Sequence, residues 1–484
     1  MVFLAAGVSG SLPSLTFSTQ LHAQQWIVVP TIELRELYTD NTTLDGDDKD
    51  GDLITTATAS LSVSGRTDRI TLNIDASASY DKYIDRTELD GFRPNVLGVV
   101  ELEVLKDTLF IDVRGSVYER NLSRSTPTPT ANRTIGGDRS LITTYSVGSR
   151  FVREIGGAAQ LDAKVNFEGT NFNKPDVGDN SAAPDDRETL TAQVKLGSNE
   201  DRTSKMSWHI LGELREESGR RSFSSRTIEG RLGWDVTRSL SPFVRVGYDE
   251  FDTSRIDDDK RSGAYYLAGA TFRPGPRLTI EAEIGHRYGS LSGSGWIDYH
   301  ITEQLIFRAA YTNNIESQQQ SLNRRLLDLV FDDSGVLIDD VGAPPNLGND
   351  NLDLIDDIFK ESRLSVGLNG TIGTRTHVNI TAFRTKRTFD ASDTDDTVAG
   401  ILANVARDLS RNLLVEAGVI YSKTLNSRFP MGEDDADLGF NVGGTYRFSE
   451  TFDVGLAYYR RDQDRPMDSD VTENSVILVL RKSF

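Results

Sequence analysis

Apolar and polar residues alternate over most of this 484-residue chain, and this period of two predicts an all-β protein. Short polar turns alternate with longer acidic stretches, which is typical of a transmembrane antiparallel up-and-down β-barrel. The turns predict about 22 strands, within a range of roughly 18 to 24. One long segment with helical periodicity interrupts the strands, so we expect a barrel with a helical insertion loop.

The strand around residue 111 shows the alternation. Ile111 and Val113 form an apolar face, whereas Asp112 and Arg114 lie on a polar one. The same pattern recurs at 70–80, 206–214 and 438–448. The polar face often carries charges, as at Arg231, Asp235, Glu281, Glu283, Arg308 and Glu416. A soluble sandwich buries its apolar face against a second sheet. A membrane barrel turns that face toward lipid and lines a lumen with the polar one, which this charged face favours.

The chain ends in a β-rich run whose last residue is aromatic. Counted back from Phe484, the alternate residues Leu480, Leu478 and Val476 are apolar and should face lipid. Lys482 departs from this pattern. Bacterial outer-membrane barrels end in this way, and the barrel assembly machinery reads the final strand as an address. We therefore expect Phe484, Leu480, Leu478 and Val476 to act as an assembly signal.

Turns divide the chain into paired strands. Ten short polar turns are predicted at 64–68, 105–108, 154–157, 198–203, 237–241, 273–276, 301–304, 372–375, 407–411 and 448–451. Longer stretches occupy 40–52, 120–138, 169–186, 251–261, 388–396, 426–437 and 461–470. Short turns at one end and long loops at the other are expected of the periplasmic and extracellular ends of a barrel.

Composition and net charge limit the classes of partner that the protein can bind. The net charge of −20 and the pI near 4.8 argue against nucleic acid, because a phosphate backbone requires a basic surface. An acidic exterior suits a cell surface, where divalent cations bridge anionic groups. We expect outer-membrane lipid and lipopolysaccharide as neighbours. Cysteine is absent, so the chain offers neither a thiol nucleophile nor a Cys-ligated metal site.

The N-terminal residues are typical of a secretory signal peptide. Residues 1–23 are apolar and rich in Ser and Thr, and Leu21-His22-Ala23 followed by Gln24 resembles a signal-peptide cleavage site. Neither Lys nor Arg occurs before Arg35, so the true start of the signal is expected upstream of Met1. The barrel then comprises residues 24–484. A short structural segment is the alternative.

Residues 314–360 break the strand period. Amphipathic helices are predicted at 321–331 and 351–359. Barrels of about 22 strands have a wide lumen that is plugged in known transporters, so we expect this loop to fold inward and occlude it. Arg324 and Arg325 would then pair with lumen carboxylates such as Glu281, Glu283 or Glu416 at a constriction. The alternative is an extracellular flap on the rim.

The sequence contains few motifs typical of catalysis or metal binding. His209, His286, His300 and His377 show no metal-ligand spacing, and nucleophile-elbow and phosphate-loop motifs are missing. The sequence predicts no catalytic residue, no metal site and no cofactor. One alternative is a hydrolase that pairs His286 with Ser290 or Ser292. The acidic loop 45–52 lacks the ligand spacing of a calcium-binding loop. It is predicted to be a solvent-exposed acidic loop that binds divalent cations weakly.

Two segments carry a family resemblance. The opening strand Ile27-Val28-Val29-Pro30-Thr31-Ile32-Glu33-Leu34-Arg35-Glu36-Leu37-Tyr38-Thr39-Asp40-Asn41 resembles the outer-membrane β-barrel proteins associated with PEP-CTERM/exosortase systems. A second segment is similar to a helical insertion of the same group, and it reads Leu322-Asn323-Arg324-Arg325-Leu326-Leu327-Asp328-Leu329-Val330-Phe331. More loosely, the chain resembles the putative β-barrel porins. The resemblance implies a setting of exopolysaccharide synthesis and export and defines no catalytic residue.

Two functions follow as hypotheses. The first is a channel or export pore in the outer membrane of a Gram-negative bacterium, with polysaccharide or export components as partners. It is motivated by the charged lumen face and the long loop. The second is a non-conducting surface or assembly protein that binds partners through its acidic extracellular loops.

Overall fold

The computed structural model describes most of the chain. The described residues are 25–122, 128–130, 139–173, 184–199, 205–219, 222–253, 261–331, 337–339, 341–342, 345, 354, 357–390, 392, 394–426, 435–465 and 469–484. The expected signal segment 1–23 lies outside these residues. No helix in the described part combines the length and the apolar character needed to cross a membrane.

Twenty-two strands form one sheet, and two further strands form a small hairpin. Strands β1 to β8 are Gln25–Thr39, Asp52–Arg66, Ile70–Tyr83, Gly91–Leu105, Leu109–Asn121, Arg139–Ile155, Ala159–Asn173 and Arg187–Ser198. Strands β9 to β15 are Met206–Ser218, Phe223–Trp234, Leu240–Asp252, Gly263–Gly275, Leu278–Arg287, Ser290–His300 and Leu305–Ser317. Helix α1 (Gln318–Leu327) and the hairpin strands β16 (Val330–Phe331) and β17 (Leu337–Ile338) follow. Strands β18 to β24 are Ile358–Ile372, Thr376–Phe389, Thr394–Asp408, Leu413–Asn426, Ala436–Ser449, Phe452–Asp464 and Val471–Ser483.

The sheet is a closed up-and-down barrel, as the sequence predicts. Each strand pairs antiparallel with the next along the chain, and β15 pairs directly with β18. The last strand closes the barrel on the first, with Thr31 opposite Ser483 and Thr39 opposite Ser475. Closure pairs the edge strands, which a bilayer requires because hydrocarbon offers no partner to an open edge.

The two ends of the barrel differ. All ten predicted turns join strands at one end, here called the turn end. The predicted long stretches join strands at the other, the loop end. Three loop-end connections were not predicted, at 84–90, 219–222 and 288–289. The last is a two-residue turn in which Tyr288 (φ 57°) and Gly289 (φ 69°) are both left-handed, as a tight hairpin prefers.

Side chains alternate between an outer apolar face and an inner polar face. Val113 is on the outside, whereas Arg114 contacts a segment inside the barrel. Large apolar side chains are exposed around the outer face, including Ile32, Tyr80, Ile210, Ile228, Tyr266, Ile284, Phe440, Leu456 and Leu478. The inner face carries ion pairs between side chains of different strands, such as Arg231 of β10 with Glu281 of β13. A soluble protein would not expose such a belt of apolar surface.

The helical prediction for the insertion is partly wrong. The helix was expected at 321–331 and is observed at Gln318–Leu327. It begins earlier because the Ser317 hydroxyl accepts from the Gln320 N–H while the Gln320 side chain accepts from the Ser317 N–H. It ends earlier because Val330 and Phe331 pair with β17. The prediction of a second helix at 351–359 is wrong at its C-terminal end, because Ile358 and Phe359 begin β18. Residues 351–353, 355 and 356 of that predicted helix lie outside the described residues.

Candidate functional site

The candidate site is the segment between β15 and β18, residues 318–357, which we call the insertion. Ser317 lies opposite Ile358, so the two strands run side by side up to the point where the insertion leaves the wall. Helix α1 packs against β5, β6, β7 and β15. Only a segment inside the barrel can contact these separated strands at once, so α1 lies in the lumen.

An apolar side of α1 rests on apolar patches of the inner wall. Leu322 packs with Tyr118, Ile142 and Phe172. Leu326 and Leu329 pack with Val99 on β4, beside Leu97. Burying each leucine contributes roughly 1.5–3 kcal/mol relative to exposure. Val99 and Leu97 occupy positions that the strand period assigns to a polar lumen, so these apolar residues mark where the insertion docks.

Arg114 of β5 binds the end of the helix. Its Nη1 donates to the carbonyl oxygens of Leu326 (3.2 Å), Leu327 (2.6 Å) and Leu329 (2.6 Å). The last carbonyls of a helix lack partners within the helix, and the helix dipole favours a cation there. One lumen arginine therefore satisfies the C-terminal end of α1.

A buried ionic cluster holds the other face of α1. Arg324 lies 3.0 Å from Glu316 of β15 and 2.6 Å from Glu361 of β18. Arg387 of β19 lies 3.0 Å from Glu361 and donates to Gln318 at 2.9 Å. Burial by itself lowers the pKa of Arg324, but the carboxylates of Glu316 and Glu361 outweigh it and hold that pKa above its usual value. The guanidinium therefore stays charged and bridges two strands of the wall.

Arg324 pairs with Glu316 and Glu361 rather than with the carboxylates expected for it. Glu281 pairs with Arg231 (3.2 Å), and Glu283 lies 3.3 Å from Arg245. Glu416 lines a niche with Tyr459, Ile477 and Val479 on the wall of β21 to β24. Arg325 is half-buried on α1. Glu281, Glu283 and Glu416 lie on the inner face, but a strand period gives neither the depth of a residue in the barrel nor its position around the wall, and these two coordinates decide the partners.

Two further polar contacts join the insertion to the wall. The Ser317 hydroxyl, at the start of the helix, donates to Glu217 of β9 at 2.8 Å. The Thr170 hydroxyl of β7 donates to Asn323 at 3.0 Å. Neither contact is predicted from the sequence. The Ser317-x-x-Gln320 spacing is a capping-box signal that could have located the helix start, whereas nothing in the sequence points to Thr170.

The insertion also reaches deep into the barrel. Asn369, near the turn end of β18, donates from Nδ2 to the Val341 carbonyl at 2.9 Å. Gly342 has φ 77°, and a Cβ there would lie 2.7 Å from Nη1 of Arg308 on β15. Glycine is suited to this position because it adopts the left-handed conformation and leaves room for the arginine.

A second loop enters the lumen from the opposite side. In the β5–β6 connection, the Thr130 N–H donates to Glu473 at 2.8 Å, and its hydroxyl lies 2.7 Å from that of Ser475. Gln463 donates to the Thr128 carbonyl at 2.9 Å. The two loops meet where the Leu354 N–H donates to the Leu122 carbonyl at 2.9 Å. Segments from two connections thus occupy the loop-end half of the lumen.

The four histidines among the described residues lie on four different strands, β9, β13, β14 and β19. The His286 ring stacks on Tyr266 of the outer face, with ring centroids 6.1 Å apart. Ser292 is buried on the inner face, and the Ser290 hydroxyl accepts from Lys360 at 2.7 Å. The alternative pairing of His286 with Ser290 or Ser292 is therefore wrong. Among the described residues, no group of His, Cys, Asp and Glu side chains could hold a metal ion.

Comparison in sequence finds one family. The model of the family described as Putative beta-barrel porin 2 matches residues 21–209, a stretch that ends within β9. Among curated proteins, none matches the sequence of this chain. Together with the closed barrel, this match supports a porin-like β-barrel.

Solved structures share the architecture. A variant of the FrpB iron transporter from Neisseria meningitidis is 10% identical with a TM-score of 0.52, over 96% of this chain and 83% of that chain. The siderophore receptor PirA from Acinetobacter baumannii is 9% identical with a TM-score of 0.47, over 96% and 81%. The ferric enterobactin receptor PfeA from Pseudomonas aeruginosa is 10% identical with a TM-score of 0.48, over 96% and 82%. At this identity the likeness to FrpB shows the fold alone.

Proposed function

We propose that this protein is a channel of the Gram-negative outer membrane whose lumen is occluded at rest by its own insertion. The observation that carries the proposal is the position of the insertion, which is bound to β4, β5, β7, β18 and β19 from the inside. The wall around it is polar and closed by hydrogen bonds without it. Movement of the insertion would therefore open a passage and leave the barrel intact.

The outer membrane is proposed as the location because the outer face is apolar and the connections are asymmetric. Lipid and lipopolysaccharide would surround the barrel, and the barrel assembly machinery would insert it. Phe484 suits an assembly signal, since its side chain is 67% exposed and its N–H donates to the Pro30 carbonyl at 2.9 Å. Leu480, Leu478 and Val476 are exposed on the same outer face.

The solute and direction form the finer part of the proposal. We propose export of polysaccharide, supported by the resemblance of residues 27–41 to PEP-CTERM-associated barrels. Disruption of the gene in a producing strain should remove polysaccharide from the cell surface while synthesis inside the cell continues. Normal surface polysaccharide in that strain would contradict the export role and leave the channel proposal standing.

The decisive experiment removes the insertion. Because Ser317 and Ile358 are register partners, residues 318–357 can be replaced by a two-residue Asn-Gly turn that closes the β15–β18 hairpin. The refolded variant should conduct steadily in planar bilayers, while the unaltered chain conducts rarely. Heat-modifiable migration of both proteins controls for folding. A folded variant that stays silent at all voltages would contradict the channel.

A second candidate is a non-conducting surface protein that binds partners through its loops. It is favoured by the order of the acidic loop 40–51, in which Asp50 binds Nε of Arg86 at 2.8 Å and Asp47 accepts from Ser469 at 2.8 Å. Backbone N–H groups of Asp48 and Asp47 lower the pKa of Asp45, so its carboxylate stays charged. This candidate predicts silence after removal of the insertion and loss of partner binding when loop 40–51 is shortened.

A further inference from the structure

One strand boundary of the barrel wall is paired along only part of its length. Strand β14 pairs with β13 along ten residues, and β15 pairs with β18 along thirteen. Between β14 and β15 the pairing covers six residues, from His300 opposite Ile306 to Gly295 opposite Tyr311. Residues 290–294 and 312–316 are all described and extended, but they have no strand partner across this boundary. We call these two runs of five residues the seam.

The seam exists because the ends of β15 and β18 bend into the lumen. Ile315 continues the strand face of Tyr311, which is exposed on the outside of the barrel. Ile358 lies on the same face, since it is the register partner of Ser317. Ile315 and Ile358 are nevertheless buried against Phe223 and Phe251 on the inner faces of β10 and β11. An outward face can reach the inner wall only if the two strand ends leave the cylinder.

A polar contact shows the same bend. Ser317 shares the face of Ile315, and its hydroxyl donates to Glu217 on the inner face of β9 at 2.8 Å. Strand β14 does not follow the bend, because it is held along its whole length by β13. The two edges of the seam therefore belong to different parts of the molecule, one to the wall and one to the strand ends that carry the insertion.

The seam begins within the membrane. About 9 to 11 tilted residues are needed to cross the hydrocarbon, so the six paired residues of β14 and β15 cover roughly half to two-thirds of it, counted from the turn end. The seam occupies the remainder and faces the leaflet at the loop end. The paired part still closes the cylinder below it.

The edges of the seam combine polar and apolar groups. On β14 three serines alternate with Leu291 and Gly293, and Leu291 is 75% exposed on the lipid side. Across the seam the Lys360 ammonium donates to the Ser290 hydroxyl at 2.7 Å. Hydrocarbon offers no partner to backbone groups along unpaired strands. A molecule that fills the seam must therefore bring polar groups to its inner side and an apolar part to its lipid side.

We propose that the seam is a lateral passage through which an amphipathic solute with an acyl chain moves between the lumen and the leaflet at the loop end. Its polar group binds the serine hydroxyls and the backbone groups of the seam, and its chain extends into lipid. The seam is held by side chains, which separate more easily than a paired strand boundary. This inference goes beyond the proposed channel and does not require that the barrel conduct ions.

The test uses palmitic acid with a diazirine at the end of its chain as a photoactivated probe. The barrel is refolded in phospholipid vesicles that contain the probe, and adducts are located by mass spectrometry after irradiation. In one variant, Ser292→Cys with Asn314→Cys, the two edges of the seam are joined by a short bifunctional methanethiosulfonate. The matched control, Ala310→Cys with Ser365→Cys, is joined in the same way at register partners of β15 and β18. Both pairs are on the inner face, and the chain has no other cysteine.

We expect the unaltered barrel to carry adducts on its inner face, at Phe223, Phe251 and Ser294, which a fully paired wall would screen from lipid. Joining the seam should lower these adducts several-fold, whereas joining the control pair should leave them unchanged. Adducts confined to lipid-facing residues such as Leu291, or equal labelling after both cross-links, would overturn the inference. A stable dimer paired through the seam and free of inner adducts would also overturn it. Because no conductance is measured, a silent barrel would contradict the channel and leave this result standing.

Discussion

At the scale of single residues, two arginines on opposite sides of α1 account for its position. Arg114 binds the helix carbonyls from β5, and Arg324 extends from the helix to Glu316 and Glu361. Charge-assisted hydrogen bonds in a partly dehydrated lumen are stronger than those on an exposed surface. Either residue can be changed without touching the hydrogen bonds of the barrel wall.

Arg114→Ala should loosen the insertion. The substitution leaves the carbonyls of Leu326, Leu327 and Leu329 without this donor, at a cost of roughly 1–3 kcal/mol. Hydrogen exchange should then accelerate in 318–329 and stay unchanged in the strands. Arg150→Ala is the control, since Arg150 pairs with Asp162 on the lumen wall and its side chain is exposed. Equal protection of α1 in both variants would rule out the role assigned to Arg114.

Arg324→Glu should open the channel more often. The change places a third carboxylate beside Glu316 and Glu361, and like charges at this distance repel. Single-channel records should show more frequent transitions between conductance levels, and Arg324→Glu with Glu316→Arg, which leaves the Glu361–Arg387 pair in place, should restore the quiet state. If the double variant flickers as much as the single one, this ion pair does not hold the insertion.

At the scale of elements, strands and helix follow different rules. A strand of the barrel is defined by its period of two, and each of its faces meets one environment, lipid or lumen. Helix α1 is defined by its capping box and by the wall patches that receive it. The effect of a substitution on a strand should therefore depend on whether the residue faces lipid or the lumen. It should not depend on the distance of the residue from the insertion along the strand.

Ile111→Arg and Asp112→Arg test the assignment of faces. A charge at Ile111 would enter the hydrocarbon and cost roughly 2–4 kcal/mol if it lies near the midplane. Asp112 lies on the inner face, where it is 3.8 Å from Arg114, so the added charge stays out of the hydrocarbon. Urea titrations of the barrel in lipid vesicles should show a much larger loss of stability for Ile111→Arg. Equal losses would mean that the faces are exchanged.

Sequence alone predicts the strands well and the insertion poorly, for a physical reason. The strand period and the turn residues are local signals, so all ten turn-end connections could be located. The docking of α1 depends on residues far away in sequence, such as Arg114 and Glu217. The sequence nevertheless contains one indication of docking, because several residues at lumen positions are apolar, namely Leu97, Val99, Ile477 and Val479. Such residues mark buried wall, but the sequence does not say what covers it.

At the scale of the whole molecule, closure is the property on which the others depend. Strand β24 pairs with both β23 and β1, so the residues of β24 complete the cylinder. Until they do, the first and last strands are open edges that hydrocarbon cannot satisfy. A lumen that can be filled or emptied by a loop exists only after this step.

Removal of Phe484 should therefore impair assembly. The deletion removes the aromatic residue of the expected signal and the hydrogen bond to Pro30, while the register of β24 from Ser475 to Ser483 remains. In cells, the truncated chain should accumulate in the periplasm and lose heat-modifiable migration. Phe484→Tyr, which keeps an aromatic terminus, should assemble normally. Normal migration of the truncated chain would refute the signal.

A reversible cross-link between the wall and the insertion tests whether the insertion occupies and closes the lumen. The chain has no cysteine, so Thr170→Cys with Asn323→Cys gives a single reactive pair at a site where the native side chains lie 3.0 Å apart. We expect a short bifunctional methanethiosulfonate to join the two cysteines through disulfides and to abolish the rare openings, and we expect reduction of those disulfides to restore the openings. Unchanged openings in a fully cross-linked barrel would contradict closure by the insertion.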